Sequence, residues 1–364
     1  MPEHDDPSVA SSQPPWSASP APAASQRAAR ATAAPGGAAS EHDEVRSRTV
    51  STRGVDLHVV EAGREGPVVL LAHGFPELAY SWRHQLPALA AAGYRALAPD
   101  QRGYGRSSRP EAIEDYDIHH LVGDLVGVLD DLGADDAVVV GHDWGSMVAS
   151  HLALLHPERV RALVNMSVPH LHRGGAAPMA TLRNAIGDNF FYMLYFQQPG
   201  VADAELDGDP ARTMRRMLAG AVLRPDAPPD PALFANDGRG FVDRMPEPDG
   251  LPAWLSAAEL DHYVEEFARS GFTGGLNWYR NMDRNWETTP ELTGATVAVP
   301  SLFVGGALDP VLAMTPPAIG HASLLDHRGD VVVPGAGHWV QQEAPAEVNA
   351  ALVGFLDDVC RGPA

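Results

Sequence analysis

Between residues 138 and 156 a short β-branched run, Val138-Val139-Val140, meets Gly141-His142-Asp143-Trp144-Gly145 and passes into a stretch with helical apolar periodicity. Few backbones accommodate that order. A buried strand must reverse sharply at two glycines and leave as a helix. Such a strand, turn and helix raises the side chain at position 143 beyond the strand end, beside the positive end of the departing helix. That side chain is an aspartate. A serine attacking a saturated carbon would form an ether, a dead end. A carboxylate forms an ester, which water can cleave, so the residue type points to hydrolysis at an alkyl carbon.

The 364 residues leave room for one large α/β domain with an insertion, or for two ordinary domains. A formal net charge of −21 opposes binding to phosphate backbones or anionic lipid, so neither nucleic acid nor membrane is an expected partner. All 26 basic residues are arginine, which excludes lysine phosphate loops and lysine imines. A single cysteine, Cys360, excludes an internal disulfide framework and a multi-cysteine metal cluster. The start, Met1-Pro2-Glu3-His4-Asp5-Asp6, does not read as a secretory signal, and no stretch approaches the ~20 apolar residues of a membrane span. A cytoplasmic protein is expected.

Residues 1–43 are rich in Ala, Pro and Ser and are expected to be disordered. From about residue 45, strands are expected over 45–51, 55–61, 67–72 and 94–98, and helices over 81–92 and 118–132. The strand and helix around Asp143 follow, then a strand over 160–165. This alternation predicts a mainly parallel sheet with helices on both faces. It stops between residues 168 and 296, where the pattern is helical with Pro-rich connections, and Ser256-Ala257-Ala258-Glu259 reads as a capping box. It resumes with strands over 297–304 and 330–333 and a helix over 346–356. The expected organisation is a core of 44–167 and 297–364 with a helical cap of 168–296 over the strand ends, where ligands of such sheets bind.

An ester on Asp143 needs a base. His338, in Pro334-Gly335-Ala336-Gly337-His338-Trp339 just after the last expected strand, is placed to reach it. Asp309, in Gly305-Gly306-Ala307-Leu308-Asp309-Pro310, follows the preceding strand and is the candidate acid to orient that histidine. A turn or helix cap is the structural alternative for it. The oxyanion formed on hydrolysis needs two donors, assigned to the backbone N–H groups of Phe75 and Trp144. His73 shapes the Phe75 loop and is not expected to be catalytic. If the substrate is an epoxide, an acid opposite the nucleophile eases departure of the ring oxygen, and tyrosine suits that role. The runs 191–197 and 276–281 supply tyrosines, although such aromatic stripes also serve packing.

From about residue 45 to 359 the chain resembles an epoxide hydrolase of the α/β-hydrolase family, and is similar to the hydrolase domain of soluble epoxide hydrolases. The matching runs are 73–77, 100–105, 141–145, 194–200 (Leu-Tyr-Phe-Gln-Gln-Pro-Gly), 276–282 (Leu-Asn-Trp-Tyr-Arg-Asn-Met), Asp309 and 337–339. The two runs from the helical block are the most specific. The resemblance implies an α/β-hydrolase fold, Asp143 as nucleophile, Asp309 and His338 as the charge-relay pair, and Tyr195 and Tyr279 as donors to the epoxide oxygen. Tyr192 is left to packing. Gln101 and Leu78 depart from the family pattern at positions expected not to touch the chemistry. No phosphatase-like domain is expected before the hydrolase.

The implied reaction opens a small apolar epoxide with water to a vicinal diol, without organic cofactor or metal, in a monomer or homodimer. Two alternatives remain at this point. A haloalkane or haloacetate dehalogenase would use the same aspartate, although Phe75 and Trp144 stand where those enzymes often carry a halide-binding asparagine and an arginine. A non-catalytic ligand-binding protein on a hydrolase scaffold is the other.

Overall fold

In the computed structural model, residues 45–220 and 233–362 are described; the tail expected to be disordered lies outside them. Eight strands form one sheet: β1 (Arg46–Thr52), β2 (Val55–Ala62), β3 (Val68–Ala72), β4 (Arg95–Pro99), β5 (Ala137–His142), β6 (Val160–Met166), β7 (Val297–Gly306) and β8 (Leu324–Val333). Their spatial order is β1-β2-β4-β3-β5-β6-β7-β8. β2 pairs antiparallel with β1 and β4, and every other pairing is parallel. β1 and β2 form a hairpin whose turn residues, Arg53 and Gly54, both have positive φ, the twist that matches two right-twisted strands.

Strand alternation explains the two-sided core. Leu70, Ala72 and Val139 pack into one apolar cluster with residues of α2 (Ile118–Leu132) and α3 (Trp144–Leu155). Val69, Leu71, Val138 and Val140 face the other side, against α1 (Gln85–Ala91) and α14 (Pro345–Arg361). The helix expected over 81–92 is broken into a 3₁₀ turn, Ala79–Trp82, and α1. Pro87 lacks the N–H that would bond the residue 83 carbonyl, so one continuous helix cannot form there. β8 starts six residues earlier than expected. As the edge strand it is partly exposed along its length, and the polar run Asp326-His327-Arg328 interrupts its apolar pattern.

Between β6 and β7 the described residues hold helices and no strand. These are α4 (Pro178–Ile186), α5 (Tyr192–Tyr195), α6 (Val201–Gly208), α7 (Pro210–Gly220), α8 (Phe241–Arg244), α9 (Ala257–Ser270), α10 (Thr273–Arg280) and α11 (Met282–Thr288). α9 opens with the expected capping box: Ser256 Oγ accepts from the Glu259 N–H, and Glu259 accepts from the Ser256 N–H. Its Tyr263 and Phe267 are buried on the inner face. After β7 and β8 come α12 (Pro310–Met314), α13 (Val340–Glu343) and α14.

Candidate active site

Asp143 closes β5 and precedes α3 with φ 53° and ψ −119°, a conformation few non-glycine residues adopt. Its neighbours leave no alternative. A Cβ on Gly145 would overlap the Ala72 carbonyl, and one on Gly141 would overlap the Gly145 carbonyl. The turn is therefore packed backbone on backbone, which holds the carboxylate above the sheet.

Three loops bring partners to it. His338 Nε2 lies 3.7 Å from Asp143 Oδ2, and His338 Nδ1 lies 3.0 Å from Asp309 Oδ2. Asp309 is buried and also caps α12, accepting the Val311 N–H at 2.8 Å. The cap role and the histidine contact thus coexist in one carboxylate. Burial by itself would lower the His338 pKa, but the charges of Asp309 and Asp143 outweigh it and raise it well above the ordinary histidine range. Burial would raise Asp309, yet His338 and the Val311 N–H hold it below the usual carboxylate range. The Phe75 N–H donates to Asp143 Oδ1 at 2.9 Å. The Trp144 N–H is the first of α3 and lacks a carbonyl four residues back within the helix.

Beneath these residues lies a layer of supports that residue patterns did not announce. His142 is fully buried, its Nδ1 2.6 Å from Glu77 Oε2 and its Nε2 2.7 Å from the His338 carbonyl. Glu77 also accepts from the Gly74 N–H and from the side-chain amides of Gln341 and Gln342. Burial would raise its pKa; chiefly the His142 ring, with the Gly74 N–H, brings it down to about 2. Ser167 Oγ donates to the same His338 carbonyl at 2.7 Å. Gln101, expected to be peripheral, grips the loop before Phe75: its N–H donates to His73 Nε2 and its side chain to the His73 carbonyl. His73 is thereby fixed as a neutral ring donating from Nδ1 to the Gly74 carbonyl, a structural part of the loop.

Glu343 clamps the histidine loop from both sides, accepting the Gly337 N–H at 2.7 Å and the Trp339 N–H at 2.9 Å. Glu343→Gln turns one acceptor into a donor facing an N–H. We expect a loss of about 1–2 kcal/mol of stability. Turnover should fall about tenfold through misplacement of His338. Thermal melts and steady-state kinetics check this; an unchanged turnover number would show that the clamp does not position the ring.

The tyrosines require a correction. Tyr279 is buried with its ring 5.1 Å from Trp144 and 5.5 Å from Phe75; burial and the charge of Asp143 push its hydroxyl well up. Tyr195, expected as its companion, turns elsewhere. Its hydroxyl is raised by burial and by a hydrogen bond to Glu205, the carboxylate that also accepts the first N–H groups of α8, and its ring packs on Phe190. Tyr192, expected only to pack, takes the place beside Tyr279, with ring centroids 5.9 Å apart. Burial, then the charges of Asp143 and Asp309, raise its hydroxyl. Tyr192 and Tyr195 lie three residues apart on a single helical turn, so spacing alone could not say which one faces the carboxylate.

Known proteins resemble this chain in sequence and in fold. Residues 67–345 match a family described as alpha/beta hydrolase fold. Epoxide hydrolase A from Mycobacterium tuberculosis is 62% identical over 312 residues, covering 85% of this chain and 96% of that protein. Bifunctional epoxide hydrolase 2 from Sus scrofa is 40% identical over 85% of this chain and 55% of that protein. The crystal structure of Epoxide Hydrolase A from Mycobacterium thermoresistibile superposes with a TM-score of 0.83 at 58% identity, covering 86% of this chain and 98% of that one. With the aspartate elbow, the histidine–carboxylate pair and the facing tyrosines on the same frame, the chain belongs to the epoxide hydrolases of the α/β-hydrolase family.

Proposed function

We propose that this protein hydrolyses small apolar epoxides to vicinal diols through an alkyl ester on Asp143, with Tyr192 and Tyr279 as the donors that open the ring. The observation carrying this reading is the pair of tyrosine rings, Tyr192 and Tyr279, packed 5.9 Å apart, with Tyr279 5.1 Å from the Trp144 ring next to the carboxylate that His338 contacts. A departing halide needs no such acid, whereas an epoxide oxygen that becomes an alkoxide does. The helical block between β6 and β7 acts as a cap, bringing both tyrosines over the ends of the strands.

In the first step Asp143 attacks one ring carbon, the C–O bond breaks, and the oxygen takes a proton from a tyrosine as it leaves. The product is an ester with a hydroxyl on the neighbouring carbon. Forming it removes the negative charge from Asp143. One of the two carboxylates that hold the proton on His338 is then gone, so the ring gives up that proton, which restores the tyrosine that protonated the leaving oxygen, and becomes a base. In the second step His338 Nε2 takes a proton from water, the hydroxide adds to the ester carbonyl, and the Phe75 and Trp144 amides hold the oxyanion. Collapse releases the diol and restores the carboxylate. Asp309 keeps the ring oriented throughout and stabilises the imidazolium as it forms.

The sign of the pH dependence follows. The first step needs both tyrosines protonated, which burial and the neighbouring carboxylates ensure across about pH 5 to 8. The second step needs His338 neutral, so lowering the pH through that range protonates the base and slows ester hydrolysis first. Quenched-flow mass spectrometry should find a growing fraction of esterified enzyme as the pH falls; a constant fraction would contradict the assigned base. The mechanism as a whole is tested by a single turnover of styrene oxide in ¹⁸O-water with enzyme in excess. Water attacks the ester carbonyl, so the first diol should carry unlabelled oxygen and the label should appear in Asp143. Label in the first diol would mean direct attack of water and would overturn the ester.

A further inference from the structure

Beyond the epoxide chemistry, we propose that His321, His327 and Asp330 form a binding site for one zinc-like divalent transition-metal ion at the outer edge of the sheet. The three side chains offer two imidazole nitrogens and a carboxylate, with their ligand atoms all within 4.8 Å of one another. His321 Nε2 lies 3.1 Å from Asp330 Oδ2, and His327 Nε2 lies 2.9 Å from Asp330 Oδ1. A tetrahedral zinc with bonds near 2.0–2.1 Å needs ligand-to-ligand spacings of about 3.3 Å, close to both. The two imidazole rings lie 4.4 Å apart with 32° between their planes, and both Nε2 atoms contact the same Asp330 carboxylate. In the apo state each of these contacts requires a proton between nitrogen and oxygen. One cation replacing those protons satisfies the same atoms, and water completes the coordination.

The surroundings fit a ligand set. His327 Nδ1 lies 3.4 Å from the hydroxyl of buried Ser301 on β7, a contact that fixes the ring and turns Nε2 outward. The neighbouring cation is held off: Arg328 pairs with Asp326 and Asp358. His321 comes from the 3₁₀ turn His321–Ser323, while His327 and Asp330 come from β8, where the strand register shifts beside Gly329. An ion would therefore tie the preceding turn to a strand that, among the described residues, has no strand neighbour on its outer side. Two nitrogen donors favour zinc, nickel or copper over magnesium or calcium, which prefer oxygen.

The test is isothermal titration of the full chain with zinc chloride, paired with thermal melts in zinc, in magnesium and in chelator. The wild type should bind one zinc ion through this cluster and melt higher by about 3 °C or more in zinc, with no rise in magnesium. The double variant H321A/H327A, and separately D330N, should lose that ion and the shift while retaining styrene oxide turnover, which shows that they are folded. Absence of zinc binding by the wild type would overturn the proposal. So would equal stoichiometry and equal melting shifts in wild type and variants, or an equal shift with magnesium.

Discussion

His338→Gln is expected to convert the enzyme into a stable alkyl ester. Glutamine keeps a polar side chain in the slot but cannot accept the proton from water, while Asp143, Tyr192 and Tyr279 remain to open the epoxide. Turnover should fall by at least about a thousandfold, and the loss should fall on the second step alone. Intact-protein mass spectrometry after mixing with a small aryl epoxide should show a single adduct with the mass of the whole epoxide, and peptide mapping should place it on Asp143. Diol formation at the normal rate with no adduct would sink the two-step mechanism. A dehalogenase would instead show its adduct only with haloalkanes, together with free halide.

Replacing the two tyrosines separates the ring-opening assignment from the one first drawn from sequence. Tyr192→Phe and Tyr279→Phe should each slow ester formation by about a hundredfold, and the double variant by about 10⁴-fold, because the leaving alkoxide then has no donor. Tyr195→Phe should leave ester formation within about twofold of wild type. Its cost is stability, on the order of 1 kcal/mol, from the lost hydrogen bond to Glu205. Pre-steady-state burst kinetics and thermal melts on the four variants decide the matter. A large rate loss in Tyr195→Phe with none in Tyr192→Phe would reverse the correction.

Residue order alone carried the frame and the centre of this protein. The β-branched run into Gly141-x-Asp143-x-Gly145 specified strand, turn and helix because each local preference agreed with the next. His338 and Asp309 were legible because each follows a core strand, so their meeting at 3.0 Å was a matter of topology. The failures lie where geometry is decided by neighbours distant in sequence. Tyr192 and Tyr195 differ in which one Glu205 captures. β8 was cut short because an edge strand is not obliged to be apolar. Glu343 carried no signal, and the runs that hold Glu77 and Gln101 gave those two residues no role. Their function is to accept or donate hydrogen bonds to backbone on other loops, and composition does not encode such partners.

The ring of His142 joins the loop after β3, through Glu77, to the loop after β8, through the His338 carbonyl, while its own residue adjoins Asp143. The Asp143 carboxylate, the His338 ring and the Phe75 N–H therefore share one internal brace. Most lesions in a two-step enzyme move the bottleneck from one step to the other. A lesion in this brace, such as Glu77→Gln, should instead scale both rate constants down together, leaving the proportion of enzyme held as ester at steady state unchanged.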